Sequence, residues 1–224
     1  MKILVIGDSI GLPRFYQDRA EVEVFHEDTY PELLRKLAKQ CFPGMDVQVL
    51  NRSVHANTTL CIINGAANDL IFFRPDVLVI ELGIVDSWPQ KPTQGECCSA
   101  CKPRVSATEF EGLLTRLLDF AGTFDGLHTI LVSIPCASAE QYLRHPGALE
   151  RTIAYNQILE RLAQRSGISL VDAYAIFSNL GERAHGSDGI HPTRQASRIL
   201  AEQLLERITS LEVIGKRRSL EGAR

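Results

Sequence analysis

Two short runs in this sequence carry residue types that can do chemistry together. The first is Gly7-Asp8-Ser9-Ile10-Gly11, close to the amino terminus. A serine at the end of an apolar strand becomes a nucleophile when a base takes its proton and N–H groups receive the developing oxyanion. The second is Ser187-Asp188-Gly189-Ile190-His191-Pro192, near the other end. An acid three residues before a histidine, on a turn locked by proline, can orient the imidazole from the side opposite the serine. The histidine then takes the serine proton, and the carboxylate fixes its tautomer and stabilises the imidazolium. Each run also has a plainer explanation, a serine N-cap for the first and an Asx turn for the second. His185 is a nearby spare, expected to be exposed, and His26, His55, His128 and His145 have no acidic partner at a telling spacing.

The elements that must position these residues are legible as alternating patterns. The apolar run 3–6 reads as a strand buried on both faces, which delivers Ser9 to the carboxyl edge of a parallel sheet. Runs at 47–50, 77–82, 129–134 and 168–171 predict four further strands. Helices are expected over 30–41, with Pro31 in the first turn and Leu33, Leu34, Leu37 and Ala38 on one face, and over 59–72. Ser106 and Glu109 have capping-box spacing and open a helix to about 124. A helix over 149–166 turns Ile153, Ile158, Leu159 and Leu162 inward, and a last one runs from Pro192 to about 208. The segments 10–28, 83–105 and 172–191 read as irregular. Five alternations of strand and helix mean a parallel sheet covered on both faces.

Composition narrows the function classes. The 224 residues are 45% hydrophobic and 23% charged with a net charge of −3, which offers no electrostatic case for nucleic acid or an anionic membrane. The first apolar run ends at Asp8, too short for a signal-peptide core, and no stretch approaches a membrane span, so a cytoplasmic protein is expected. One domain over 1–214 with a flexible basic tail over 215–224 accounts for the chain. Cys41, Cys61 and Cys136 read as small buried hydrophobes. Cys97, Cys98 and Cys101 crowd one loop, where the C-x-x-C spacing suits zinc or a redox pair. A structural zinc needs four ligands and no second pair lies at a typical distance, so a lid with reduced thiols, and no metal, is the expectation.

Gly7-Asp8-Ser9 on the first strand, combined with Asp188-x-x-His191 before the last helix, resembles the SGNH (GDSL) hydrolase superfamily over residues 3–208. The literal G-x-S-x-G match to the nucleophile elbow of α/β-hydrolases misleads, since only six residues precede this one. The resemblance implies a flavodoxin-like three-layer α/β/α sandwich on a five-stranded parallel sheet, with Ser9 as nucleophile, His191 as base and Asp188 as orienting acid. It also implies an oxyanion glycine in the loop after the second strand, where Ala56 lines up best and Asn57 follows. A backbone N–H survives Gly→Ala, a mild change unless the position needs φ > 0. After the third strand the family usually has Gly-x-Asn-Asp, its asparagine a further oxyanion donor; here Gly83-Ile84-Val85-Asp86 puts a valine there, which cannot donate. Asp86 is expected to brace loops.

Leu12-Pro13-Arg14, Glu27-Asp28-Thr29-Tyr30-Pro31 and Gly-Ile-Val-Asp together are similar to a narrower group of GDSL-like proteins in bacterial polysaccharide or secondary-metabolite clusters. Arg14 then has two readings. It holds a substrate carboxylate or replaces the missing asparagine, or it makes a surface ion pair. Arg14, Asn57 and Ser87 are the donors expected near the gap left by Val85. The function implied is a cofactor-free serine hydrolase cleaving an O-acyl or O-acetyl ester of a carbohydrate or small metabolite. An acyltransferase using the same acyl-enzyme, and a binding protein on a decayed hydrolase fold, stay open.

Overall fold

The computed structural model describes residues 1–16, 21–89 and 103–211. Its centre is β1 (Lys2–Gly7), an inner strand whose residues from Ile3 onward are buried because helices cover both faces of the sheet. β1 pairs in parallel with β4 (Gln48–Asn51) and with β5 (Val77–Glu81). The sheet continues in parallel through β6 (His128–Val132) to β7 (Ser169–Val171), giving the order β4-β1-β5-β6-β7. The chain therefore leaves β1 to one side for β4 and returns to the other side for β5. The crevice where such an order reverses is where doubly wound folds bind ligands, and Ser9 sits at the end of β1 beside it.

Helices cover both sides of the sheet. α1 (Tyr30–Cys41) packs with α8 (Arg194–Ser210), while α2 (Thr59–Phe73), α4 (Ala107–Ala121) and α6 (Ala148–Ser166) pack in succession. This is the three-layer α/β/α sandwich that the alternation predicts. Local signals hold where a few residues suffice. Pro31 stands in the first turn of α1 with Leu34 and Ala38 buried, and Ser106 and Glu109 form both halves of the capping box of α4.

The three segments read as irregular contain order. Residues 10–28 hold an antiparallel hairpin of β2 (Arg14–Tyr16) and β3 (Glu21–Val24), which pairs with no strand of the main sheet. The loop expected over 83–105 starts with a short helix, α3 (Ile84–Ser87). The stretch 172–191 contains α7 (Ala173–Leu180), capped by Asp172, and a 3-10 turn over Gly181–Ala184. A further short helix, α5 (Ala139–Arg144), begins after Ser138, and α8 starts at Arg194 with Thr193, not Pro192, before it as cap. The hairpin, α3, α5, α7 and the 3-10 turn are too short for a periodic signal and take their shape from caps and neighbours.

Ile153 is 41% exposed rather than inward, and Cys41 and Cys61 are exposed; only Cys136 of those three is buried. Cys97, Cys98, Cys101 and the tail over 215–224 lie outside the described residues. No helix among the described residues is long and apolar enough to cross a membrane.

Candidate active site

β1 ends at Gly7, and Ser9 opens a single 3-10 turn over Ser9–Gly11 whose first free N–H, that of Ile10, is taken by the Asp8 side chain at 3.0 Å. The loop before α8 approaches from the opposite end of the chain. His191 Nε2 lies 2.8 Å from Ser9 Oγ, and His191 Nδ1 lies 2.6 Å from Asp188 Oδ2. With the carboxylate ionised, Nδ1–H donates to Asp188 and Nε2 is left to accept from the serine hydroxyl.

Asp188 is also an Asx turn, so the plain and the chemical explanations of this run hold together. Its Oδ1 accepts the N–H groups of Ile190 and His191, each at 2.9 Å. Between Asp188 and Ile190, Gly189 has φ +70°, and a Cβ there would come within 2.3 Å of Ser138 Oγ, so the turn needs glycine. The start of α5 supports it from outside: Ser138 N–H donates to Gly189 O at 2.7 Å, and Gln141 Nε2 donates to Asp188 O at 2.8 Å. Burial pushes the Asp188 carboxyl up, but the hydrogen bond to His191, the imidazolium charge and the two backbone donors outweigh it and hold the group well below the usual carboxylate range.

Arg14 makes an ion pair, one of its two expected readings: its Nη2 lies 2.8 Å from Asp188 Oδ2, and it is not among the residues lining the crevice beside Val85. The other expected donors do not fill the gap at Val85 either. Ser87 Oγ donates back to Ile84 O within α3, and Asn57, whose N–H donates to Val54 O, is not among the residues lining the crevice. For Ser87 the physical reason is local: a hydroxyl close to a backbone carbonyl one turn back satisfies itself there.

The crevice over Ser9 has a volume of about 230 Å³. Ile84, Val85, Trp88 and Ile190 give it apolar walls, and His55, Ala56 and Arg104 complete its lining. Val85 thus replaces an amide by wall. Ala56 has φ +59°, the left-handed region in which the change from glycine is not mild. Arg104 and His55 were not anticipated as site residues. Arg104 arrives because the chain returns past Trp88, with Arg104 N–H donating to Trp88 O at 3.2 Å and Pro89 bridging to Pro103. Asp86, fully buried, accepts from Thr59 N–H at 2.9 Å and Thr59 Oγ1 at 2.6 Å, tying α3 to the start of α2. His185 is half-buried against Phe177 rather than exposed, and burial lowers its pKa.

Beneath Ser9 lies a group that the sequence reading overlooked. Asp8 and Glu81 are both buried, and Asp8 Oδ2 and Glu81 Oε2 have no hydrogen-bond partner among the described residues. Burial pushes Asp8 up to about 7, against the Ile10 N–H and with Asp86 adding to the rise. Burial and then the charge of Asp8 raise Glu81 as well. A Cβ on Gly7 would lie 3.0 Å from Glu81 Oε2, so the glycine is what lets the two strands bring this carboxyl under the serine. A lone glutamate inside the apolar run 77–82 was the available signal.

Comparisons with known proteins identify the family and the fold. The sequence profile of the GDSL-like Lipase/Acylhydrolase family matches residues 5–199. No curated protein sequence matches the chain. Among solved structures, a lipase/acylhydrolase from Enterococcus faecalis superposes with a TM-score of 0.72 at 18% identity, covering 92% of this chain and 94% of that one. An α/β hydrolase enzyme from the metagenome of Lake Arreo, Spain, gives 0.71 at 24% identity, over 92% and 93%. A catalytic mutant of Axe2, an acetylxylan esterase from Geobacillus stearothermophilus, gives 0.71 at 23% identity, over 92% and 93%. At these identities the structural likeness establishes the fold, and the family match over most of the length establishes the rest: the chain belongs to the GDSL-like lipase/acylhydrolase family and is an SGNH-type hydrolase.

Proposed function

We propose that this protein cleaves a small O-acyl ester, such as an O-acetyl group on a carbohydrate or small metabolite, through an acyl-enzyme on Ser9. The observation that carries the reading is the unbroken relay from Ser9 Oγ through both ring nitrogens of His191 to Asp188. His191 Nε2 takes the hydroxyl proton as Oγ attacks the ester carbonyl, and Asp188 stabilises the imidazolium. The imidazolium then protonates the leaving alkoxide as the C–O bond breaks. Water, deprotonated by the same nitrogen, releases the acid from Ser9. The N–H groups of Ser9 and Ala56 receive the oxyanion in this scheme. Support for the second comes from the strain at Ala56, since a non-glycine residue at positive φ costs about 1–2 kcal/mol and such strain clusters at functional sites. The small apolar crevice favours a short acyl chain. Two acetylxylan esterases share this fold, which supports a carbohydrate O-acetyl ester as the substrate class.

A fluorophosphonate probe tests the reading directly. Labelling located at Ser9 by mass spectrometry, and lost in Ser9→Ala, is the expected result. An unlabelled native protein would leave only a binding role on this fold. Product analysis on an activated acetyl ester with and without added alcohol acceptors separates hydrolysis, the expected outcome, from acyl transfer.

A further inference from the structure

We propose that Arg14 is a positioning residue of the acid–base pair, held by the β2–β3 hairpin and sharing the Asp188 carboxylate with His191; this rests on the hydrolase reading above. The geometry is specific. Asp188 Oδ2 accepts from His191 Nδ1 at 2.6 Å and from Arg14 Nη2 at 2.8 Å, while Oδ1 is occupied by two backbone N–H groups. The pair is sheltered, with side-chain exposures of 24% for Arg14 and 17% for Asp188, so its interaction is screened less than that of a surface pair.

The hairpin reaches the same loop with both of its strands. On β3, Glu23 Oε1 accepts the N–H of Ser187 at 2.5 Å, next to Asp188. A Cβ on Gly186 would stand 2.5 Å from Glu23 Oε2, so that glycine is required for the carboxylate to come this close. On β2, the pairing shifts register between Arg14 and Phe15, an irregularity of the kind that re-aims a side chain. Because the hairpin pairs with no strand of the main sheet, its seat on the loop is set by these contacts and by the buried Val24.

The consequence is electrostatic. A guanidinium on the carboxylate that faces the imidazole offsets part of the charge that stabilises the imidazolium, leaving more of the histidine in the neutral form that takes the serine proton. Among the described residues, the other titratable or charged groups around His191 are Ser9 in front, His185 on its own loop, Glu23 from the hairpin, and His55 and Arg104 from the crevice.

The test is the pH dependence of kcat/KM on an activated acetyl ester, with the His191 ring titration followed by NMR in the same proteins. Arg14→Gln is expected to move the acid limb to higher pH by roughly half a unit or more, because the carboxylate is then uncompensated. Its kcat falls more than its KM changes. Arg14→Lys, which keeps the charge, brings the limb back towards that of the native protein. A purely structural role predicts the reverse sign, since a displaced Asp188 loses its hold on the imidazolium and the limb moves down. An unmoved or lowered limb in Arg14→Gln, or a raised limb that Arg14→Lys does not restore, overturns the proposal. Arg14→Met repeats the measurement should Arg14→Gln fail to fold. The NMR titration needs no turnover, so it responds to Arg14 even where the hydrolase reading fails, and the two failures are told apart.

Discussion

The two sides of Ser9 are built differently. On the acid–base side, the run from Ser187 to His191 is held redundantly: Asp188 alone engages two backbone N–H groups, the imidazole and Arg14, and α5 and Glu23 brace the turn. On the proposed oxyanion side the walls are largely apolar, with His55 and Arg104 the polar side chains beside Ser9 and His191. A valine stands where the family has an amide, and an alanine occupies left-handed backbone. The difference teaches where this site depends on side chains and where on the main chain. A proton relay needs an imidazole fixed in one tautomer, which takes several bonds; an oxyanion can be met by N–H groups that the fold places without any side chain. The floor adds a third case. Asp8 and Glu81 are carboxyls like Asp188, but they are buried with few donors and are driven towards the neutral form, whereas donors keep Asp188 ionised.

The largest expected effect breaks the acid–base side. Ser9→Ala and His191→Ala should each lower kcat by similar factors, on the order of 10⁵ or more, because the two act as a unit, with Asp188→Asn losing less. Steady-state kinetics on an activated ester checks this, and unequal losses for serine and histidine would contradict the relay. Rebuilding the oxyanion side is the next test. Arg14 is engaged by Asp188 and Val85 is part of the apolar wall, so Val85→Asn should raise hydrolysis of a small activated ester by roughly tenfold, less than the hundredfold or more of a shaped donor. An unchanged rate would mean that backbone N–H groups already suffice.

The floor is tested through stability. Folded-state pKa values raised above the unfolded ones mean that the native protein binds these protons more tightly, so stability falls as pH rises from about 4 through about 7, where Asp8 ionises. Glu81→Gln should remove much of that fall, raising Tm at pH 8 by a few degrees, at roughly 2–4 °C per kcal/mol, with little gain at pH 5. A gain that is equal at both pH values would contradict the account in which burial and mutual charge raise these two carboxyls. The smallest effect is expected at Ala56. Ala56→Gly relieves the left-handed strain and should stabilise the fold by about 1 kcal/mol or less, since glycine also loosens the unfolded chain. A denaturant midpoint that drops instead would show that the alanine methyl packs usefully.

Much of this protein is written in short windows of its sequence. Pro31 with Leu34 and Ala38 specifies α1, Ser106 with Glu109 specifies the start of α4, and the apolar run before Gly7 specifies a strand that delivers a serine. Those features depend on periodicity and caps within a few residues, and so do the Asx turn and the order of serine, acid and histidine. What lies outside such windows was decided by the fold. Ser9 and His191 meet across 182 residues, and Ser187 meets Glu23 across 164. Arg14 reads either as a substrate- or oxyanion-binding cation or as a surface ion pair until the hairpin, which has no periodic signal of its own, turns it onto Asp188. Glu81 reads as one polar residue in an apolar strand until the parallel pairing with β1 sets it beneath Asp8 and Ser9. Residue types and local propensities are carried by the chain itself, but a charge acquires its partner, and a carboxyl its protonation state, only when burial and distance are set by tertiary packing.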